Sequence, residues 1–263
     1  MELDLFVVDA FTDRQFKGNS AAVVPVAEWP QDALMQQIAT ENNLSETAFI
    51  KALDQGRYAI RWFSPITEID FCGHATLAAS FVLFNHLGCA GEIEYVTQTV
   101  GTLTVVQLAD GRIEMSFPNQ APEPVAKVPV ALLEGLSATP VEVLKNRQAY
   151  VVVLASETEV RELSYRSERL KTLAPFDVVV TAAANEHDFV SRYFWPANGG
   201  DEDPVTGSIH AALAPYWAQR LSKSELVAYQ ASARGGILHC RVVGDRVLVS
   251  GYAVLYLKGH IYV

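Results

Sequence analysis

Residues 69–80 read IDFCGHATLAAS, and in them Cys72, Gly73 and His74 stand where a polar loop gives way to a long apolar run. The run continues as HATLAASFVLFNHL over 74–87 and meets Gly88, a residue type that ends helices because it takes the left-handed conformation without strain. A helix apolar on almost every face must be wrapped by other elements. The stretch therefore predicts a curved sheet closed around one central helix. A thiol and an imidazole at the start of that helix admit four readings: a metal site, a nucleophile with its base, a pair of proton handlers, or a plain loop end.

A second copy of this pattern lies further along. EDPVTGSIHAAL (202–213) matches DFCGHATLAA, and Gly73 and Gly207 are 134 positions apart (207 − 73). Upstream, RWFSP (61–65) matches RYFWP (192–196) at an offset of 131 (194 − 63 at the phenylalanines), so about three residues were added to the second loop. Downstream, TLTVVQLADGRIEMSF (102–117) and GILHCRVVGDRVLVSG (236–251) both read as hairpins around Gly/Asp turns, with Arg112 and Arg246 again 134 apart (246 − 112). Three matches in one order at a nearly constant offset indicate an internal duplication. Its period is too long for a solenoid. The expected fold is α+β: two pseudo-symmetric halves, 1–118 and 119–250, with a final strand, 251–263, able to return to the first. The proline-rich FPNQAPEPVAKVP (117–129) reads as the linker.

The remaining elements read as strands at LDLFVVDAF and AAVVPVA, a short amphipathic helix at QDALMQQIAT, and a hairpin of TAFIKAL and YAIRWF around DQG. The second central helix is expected over 208–221, with Pro215 kinking it or ending its first segment.

Composition narrows the function. Half of the 263 residues are apolar, enough for a large core, and the formal charge is −10 with no basic cluster, which argues against nucleic acid. No stretch reaches the ~18 apolar residues of a membrane span. MELDLFVVDAFTD is acidic where a signal peptide is basic, so the chain reads as soluble and cytoplasmic. Cys72, Cys89 and Cys240 are scattered without a CxxC pair, and the six histidines show no HExxH-like spacing. Neither a disulfide framework nor a metal site is expected. No GxGxxG or P-loop is present, so no cofactor is expected.

The two loop–helix junctions, 70–74 and 201–208, carry the candidate site. Each joins a glycine, which lets a ligand approach the backbone, to free N–H groups at a helix start. Gly73-His74 and Gly207-Ser208 either grip one carboxylate or are plain helix caps. Glu46 sits in the polar loop ENNLSETAFI, where burial would make it a general base and exposure a mere surface charge. Of Asp201, Glu202 and Asp203, the last holds the fixed distance to Gly207. Cys72 is either a thiolate activated by the helix terminus or a small buried filler. Cys89 and Cys240 read as core.

Taken together, FKGNSAAVV, NNLSETAFI, DFCGHATLAA and EDPVTGSIHAAL resemble the phenazine-biosynthesis PhzF-like family, which is related to diaminopimelate epimerase and proline racemase. The motifs span residues 16 to 213. The resemblance implies two barrel-like halves, each around a helix. It implies a cofactor-free isomerase moving a proton on a small carboxylated metabolite, usually as a homodimer. It assigns catalytic roles to Glu46, His74 and Asp203, and substrate contacts to Asn19, Cys72, Gly73, Gly207 and Ser208. Two departures stand out. Ser20 follows the Gly-Asn pair where the family often has proline, and only Cys72 remains of the two thiols of the related epimerases, with Asp203 read at the second position.

The expected activity is therefore a proton shift on a small carboxylate bound between two helix N-termini, with Glu46 as acid and base. Two alternatives stay open. One is a hydrolase using Ser208 or Cys72 with His74 or His210, although no GxSxG elbow surrounds Ser208. The other is a non-catalytic binder of small acids.

Overall fold

Strands β1 (Glu2–Ala10) and β2 (Asn19–Val26) run antiparallel, with Ala10 opposite Asn19. Their connection depends on Gly18, whose φ is +64° and where a Cβ would lie 2.1 Å from the Ala10 carbonyl oxygen. No other residue tolerates both constraints. Gly18 thus delivers Asn19, fully buried, to the first position of β2. The structure is a computed structural model and describes residues 1–54 and 56–263.

Helix α1 (Asp32–Asn42) crosses over and ends at Asn43, which is left-handed at φ 47°, as short polar side chains at helix ends often are. The crossover sets β3 (Glu46–Asp54) parallel to β2, with Ala21 opposite Glu46. Asn19 and Glu46 therefore start neighbouring parallel strands at the same end of the sheet. β4 (Arg57–Phe63) returns antiparallel to β3. The turn expected at DQG includes Gln55, which lies outside the described residues.

The two-residue β5 (Glu68–Ile69) pairs with the end of β4, and α2 (Gly73–His86) follows. β6 (Ile93–Val96) then lies parallel to β4, and β7 (Thr102–Gln107) and β8 (Ile113–Pro118) continue antiparallel. Ten of the fourteen residues of α2 are buried, and the helix packs against β1, β2 and β3. Ala75, Ala78 and Ala79 allow the close approach, while Leu77, Val82 and Leu83 supply the bulk. Burial of each large side chain contributes roughly 1.5–3 kcal/mol. The polar residues of the helix are satisfied: Thr76 Oγ1 donates to the Cys72 carbonyl at 2.6 Å, and Ser80 Oγ lies 3.0 Å from the Tyr95 hydroxyl.

The chain then passes through β9 (Glu123–Pro124), α3 (Val130–Gly135), β10 (Glu142–Lys145), β11 (Ala149–Val153), α4 (Glu157–Glu162) and α5 (Ser167–Leu170). β12 (Asp177–Ala183) lies parallel to β11, and β13 (Phe189–Phe194) antiparallel to β12. After β14 (Glu202–Asp203) and α6 (His210–Leu221), β15 (Glu225–Gln230) lies parallel to β13 and antiparallel to β16 (Gly236–Val243). β17 (Arg246–Gly251) precedes β18 (Ala253–Tyr262), which pairs antiparallel with β1 along its whole length. By contacts the chain forms two compact units, Met1–Ser116 with Ser250–Val263, and Phe117–Val249. The second has its own core around Val152, Val178, Val180, Val190 and Phe194. Mixed parallel and antiparallel pairing with helical crossovers makes the fold α+β. No helix among the described residues is long and apolar enough to cross a membrane.

Two sequence expectations need correction. The second helix begins at His210 rather than Ser208. Residues 207–212 first make a tight turn whose bonds run i to i+3, such as His210 N–H to Gly207 O at 3.2 Å. Pro215 does not end the helix. The proline lacks the N–H that would reach Ala211, and the freed Ala211 carbonyl instead accepts from the Gln120 backbone N–H at 3.0 Å. The same bond and two others tie down the stretch 117–129, read as the linker. Asn119 N–H bonds the Asp245 carbonyl at 2.8 Å and Val125 N–H the Val143 carbonyl at 3.1 Å.

The two units share a detail that spacing alone suggests. In β4/β5 Phe63 faces Glu68, and Arg61 grips Glu68 through two bonds of 2.7 Å while lying 5.2 Å over the Phe63 ring. In β13/β14 Phe194 faces Glu202, and Arg192 grips Glu202 through bonds of 2.7 and 2.9 Å while lying 5.2 Å over Phe194. Paired forks of this kind pin each short strand just ahead of its loop–helix junction.

Candidate active site

In the first unit the end of the sheet defined by Asn19 and Glu46 receives the start of α2. Glu46, Cys72 and His74 are 8, 7 and 5 % exposed and Asn19 is fully buried. His74 Nε2 lies 2.9 Å from Glu46 Oε2. The ring N–H is off the line a hydrogen bond needs, so Oε2 has no hydrogen-bond donor among the described residues. On its other side, His74 Nδ1 lies 3.2 Å from Asn19 Nδ2 and 3.4 Å from Cys72 Sγ. Ser45 Oγ donates to Asn19 Oδ1 at 3.0 Å. With Asn19 Nδ2 as donor, a neutral imidazole accepts at Nδ1 and keeps its proton on Nε2, on the Glu46 side.

Burial opposes charge on His74, but the negative groups beside it, Cys72 when ionised and Glu46, outweigh burial and hold the imidazole well above the usual histidine range. Burial, reinforced by Glu46, pushes the Cys72 thiol up to about 11 against the weaker pull of His74. At neutral pH Cys72 is therefore a thiol. Cys72 is the residue preceding α2 and makes no side-chain cap. His74 is not a cap either; it is the second residue of the helix.

In the second unit the turn before α6 is built differently. Thr206, not Asp203, precedes Gly207 as Cys72 precedes Gly73. Asp203 sits in β14 opposite Tyr193, and its Oδ2 accepts from the Thr206 hydroxyl. The buried Gln230 holds this pair from below: its Oε1 accepts from Thr206 N–H at 2.9 Å and its Nε2 donates to the Asp203 carbonyl at 2.9 Å. Ser208 Oγ accepts from Gln148 Nε2 at 3.0 Å, which also donates to the Tyr193 hydroxyl at 2.8 Å. Ser208 is not a helix cap, since Ile209 holds that position. His210 is fully buried, with Nδ1 2.8 Å from the Thr206 carbonyl. Sequence reasoning gave Ser45, Gln148 and Gln230 no place in the site. The signal for Gln230 was available: an amide at an inward position of the strand ELVAYQ must be buried with partners.

A protein-family model described as phenazine biosynthesis-like protein (PhzC-PhzF) matches residues 8–259. The chain belongs to the phenazine biosynthesis-like family. An uncharacterized isomerase of Pseudomonas aeruginosa is 49 % identical over 98 % of both chains. A crystal structure of a PhzF-family phenazine biosynthesis protein of Enterococcus faecalis superposes with a TM-score of 0.95 at 42 % identity, covering 100 % of both chains. With relatives so named, the chain is an isomerase. A hydroxyproline epimerase of Agrobacterium vitis shares the fold at 11 % identity, with a TM-score of 0.64 over 99 % of this chain and 92 % of the epimerase.

Proposed function

We propose that this phenazine biosynthesis-like isomerase shifts a proton between carbons of a small carboxylated metabolite, with Glu46 as the base that takes and returns it. The observation that carries the reading is Glu46 Oε2: a buried carboxylate oxygen without a well-aligned hydrogen-bond donor, 2.9 Å from the His74 imidazole. An oxygen left open in this way is ready to accept a proton from a carbon acid. His74 then stabilises the carboxylate before the transfer and shares the proton after it. The N–H groups of Gly73 and His74, at the positive end of α2, bind the substrate carboxylate and the charge that develops beside the reacting carbon. Asn19, tied by Ser45, fixes the imidazole.

In the second unit we propose a carboxylate-binding role for the Gly207-Ser208 turn, with Gln148 aiming the Ser208 hydroxyl. Asp203 is proposed to act through Thr206. The Cys72 thiol, pushed up to about 11, is a poor nucleophile near neutrality, which favours the base over a thiol hydrolase. Homodimer formation belongs to the same proposal.

The test is solvent exchange. Candidate small carboxylates are incubated with the protein in deuterated water and followed by NMR. Loss of a general base costs about 10²–10⁴ in rate, so Glu46→Gln is expected to slow exchange at the reacting carbon by that factor. Turnover that survives Glu46→Gln intact would remove Glu46 from the mechanism.

A further inference from the structure

We propose that Glu46, Cys72 and His74 also form a binding site for one zinc-like divalent cation per chain, and that this cation and the substrate exclude each other. The exclusion rests on the function proposed above; the binding does not. The three residues come from separate parts of the first unit, the start of β3 and the loop into α2, and offer one carboxylate oxygen, one thiol sulfur and one imidazole nitrogen. All three donor atoms lie within 4.8 Å of one another, and all three residues are buried.

The geometry suits a small tetrahedral ion. With zinc bonds of ~2.0–2.3 Å, neighbouring ligand atoms sit roughly 3.3–3.6 Å apart. His74 Nε2 is 2.9 Å from Glu46 Oε2 and 3.9 Å from Cys72 Sγ. These two edges bracket the tetrahedral spacing and the third, Glu46 to Cys72, is within 4.8 Å, so side-chain adjustment alone can bring the three donors to three corners of a tetrahedron. The fourth stays open, as in catalytic rather than structural zinc sites. Glu46 Oε2 is buried and accepts no well-aligned hydrogen bond, which leaves its lone pairs available to an ion.

Charge balance selects the ion. Binding releases the thiol proton to solvent, and any proton on the imidazole leaves with it. One thiolate, one carboxylate and one neutral imidazole then neutralise a divalent cation, so the filled site leaves no net charge in a buried environment. The sulfur and nitrogen donors select zinc, cobalt or cadmium over magnesium or calcium. A cation there occupies Glu46 Oε2, the atom the proton shift needs. Inhibition follows from occupancy alone.

The experiment uses the full chain, stripped with a chelator and then titrated with cobalt(II) without substrate. One equivalent is expected to produce a thiolate-to-cobalt charge-transfer absorption, displaced by zinc. Cys72→Ser, checked for folding by thermal unfolding, is expected to lose the band and to bind at least about tenfold more weakly. The exposed cluster of His260, Asp4 and Glu2, with His260 Nδ1 2.9 Å from Asp4 Oδ1, is the competing surface site, so His260→Gln is expected to change nothing. Absence of the band, binding unchanged in Cys72→Ser, or binding lost in His260→Gln would each overturn the proposal. Cobalt binding in a chain that exchanges no substrate proton leaves the metal site standing and removes the isomerase assignment of Glu46. Exchange without cobalt binding does the reverse.

Discussion

Lowering the pH from 7 to 4 is expected to destabilise the second unit through one residue, His210. The side chain has no exposure, its Nδ1 lies 2.8 Å from the Thr206 carbonyl, and Nε2 has no partner among the described residues. A carbonyl accepts only from N–H, so Nδ1 carries a proton. Its face rests 5.8 Å from Phe189, which stacks in turn on Trp217. Burial without a counter-charge pushes the imidazole down to about 4 from an ordinary 6.5. The unfolded chain therefore takes up the proton first as pH falls. The stabilisation is fully present above pH 6.5 and is lost between 6.5 and about 4. Linkage puts the loss at about 2 kcal/mol by pH 5 and about 3 kcal/mol by pH 4. That is a large part of the 5–15 kcal/mol typical of a folded domain. The matched control is His210→Asn, whose amide keeps a donor near Thr206 but does not titrate. Urea unfolding followed by tryptophan fluorescence at pH 7, 6, 5 and 4 reads the difference. Carboxylates common to both proteins cancel in it. Parallel stability curves for the two proteins, or an NMR titration placing His210 above pH 5.5, would refute the reasoning.

Two further outcomes follow from the first unit. Gly18→Ala combines a φ of +64° with a Cβ 2.1 Å from Ala10 O; a loss of at least about 2 kcal/mol is expected from strain and clash together, read as a lowered urea midpoint. The Cys72 thiol, at about 11 against 9.0 unfolded, is favoured in the folded state, so stability is present below pH 9 and falls as pH rises toward 11. The loss is about 1.4 kcal/mol at pH 10, and Cys72→Ala should lack that component when the two are compared by thermal unfolding at pH 8 and 10.

Long, strongly patterned elements were legible from the sequence. A run of fourteen residues that is apolar on every side reads as a buried helix, and α2 is one. Less visible was what depends on distant partners. Glu46 in its own loop is an ordinary glutamate; its meaning comes from His74, 28 positions away (74 − 46), which only the parallel β2–α1–β3 crossover brings to 2.9 Å. Asp203, read as the approximate counterpart of Cys72, sits in the short strand β14 and reaches the second junction through the Thr206 hydroxyl. Pro215 reads as a kink or the end of a first helical segment, but it lies inside α6, where Gln120, 95 residues earlier (215 − 120), supplies the missing donor. The one-turn helices α3, α4 and α5 carry no periodicity to detect. α4 does carry a local signal in SETE, where Ser156 Oγ accepts from Glu159 N–H at 3.2 Å.

The bond from Gln120 to Ala211 bears on how the chain can be dissected. A second unit expressed by itself from beyond residue 120 would start with an unsatisfied carbonyl inside α6, at a cost of about 1–3 kcal/mol, and would lose the Asn119 bond to Asp245 as well. Fragments cut within 117–129 on the strength of its prolines should be aggregation-prone, and protease should leave that stretch intact despite its composition. A workable boundary for separate expression lies before Phe117.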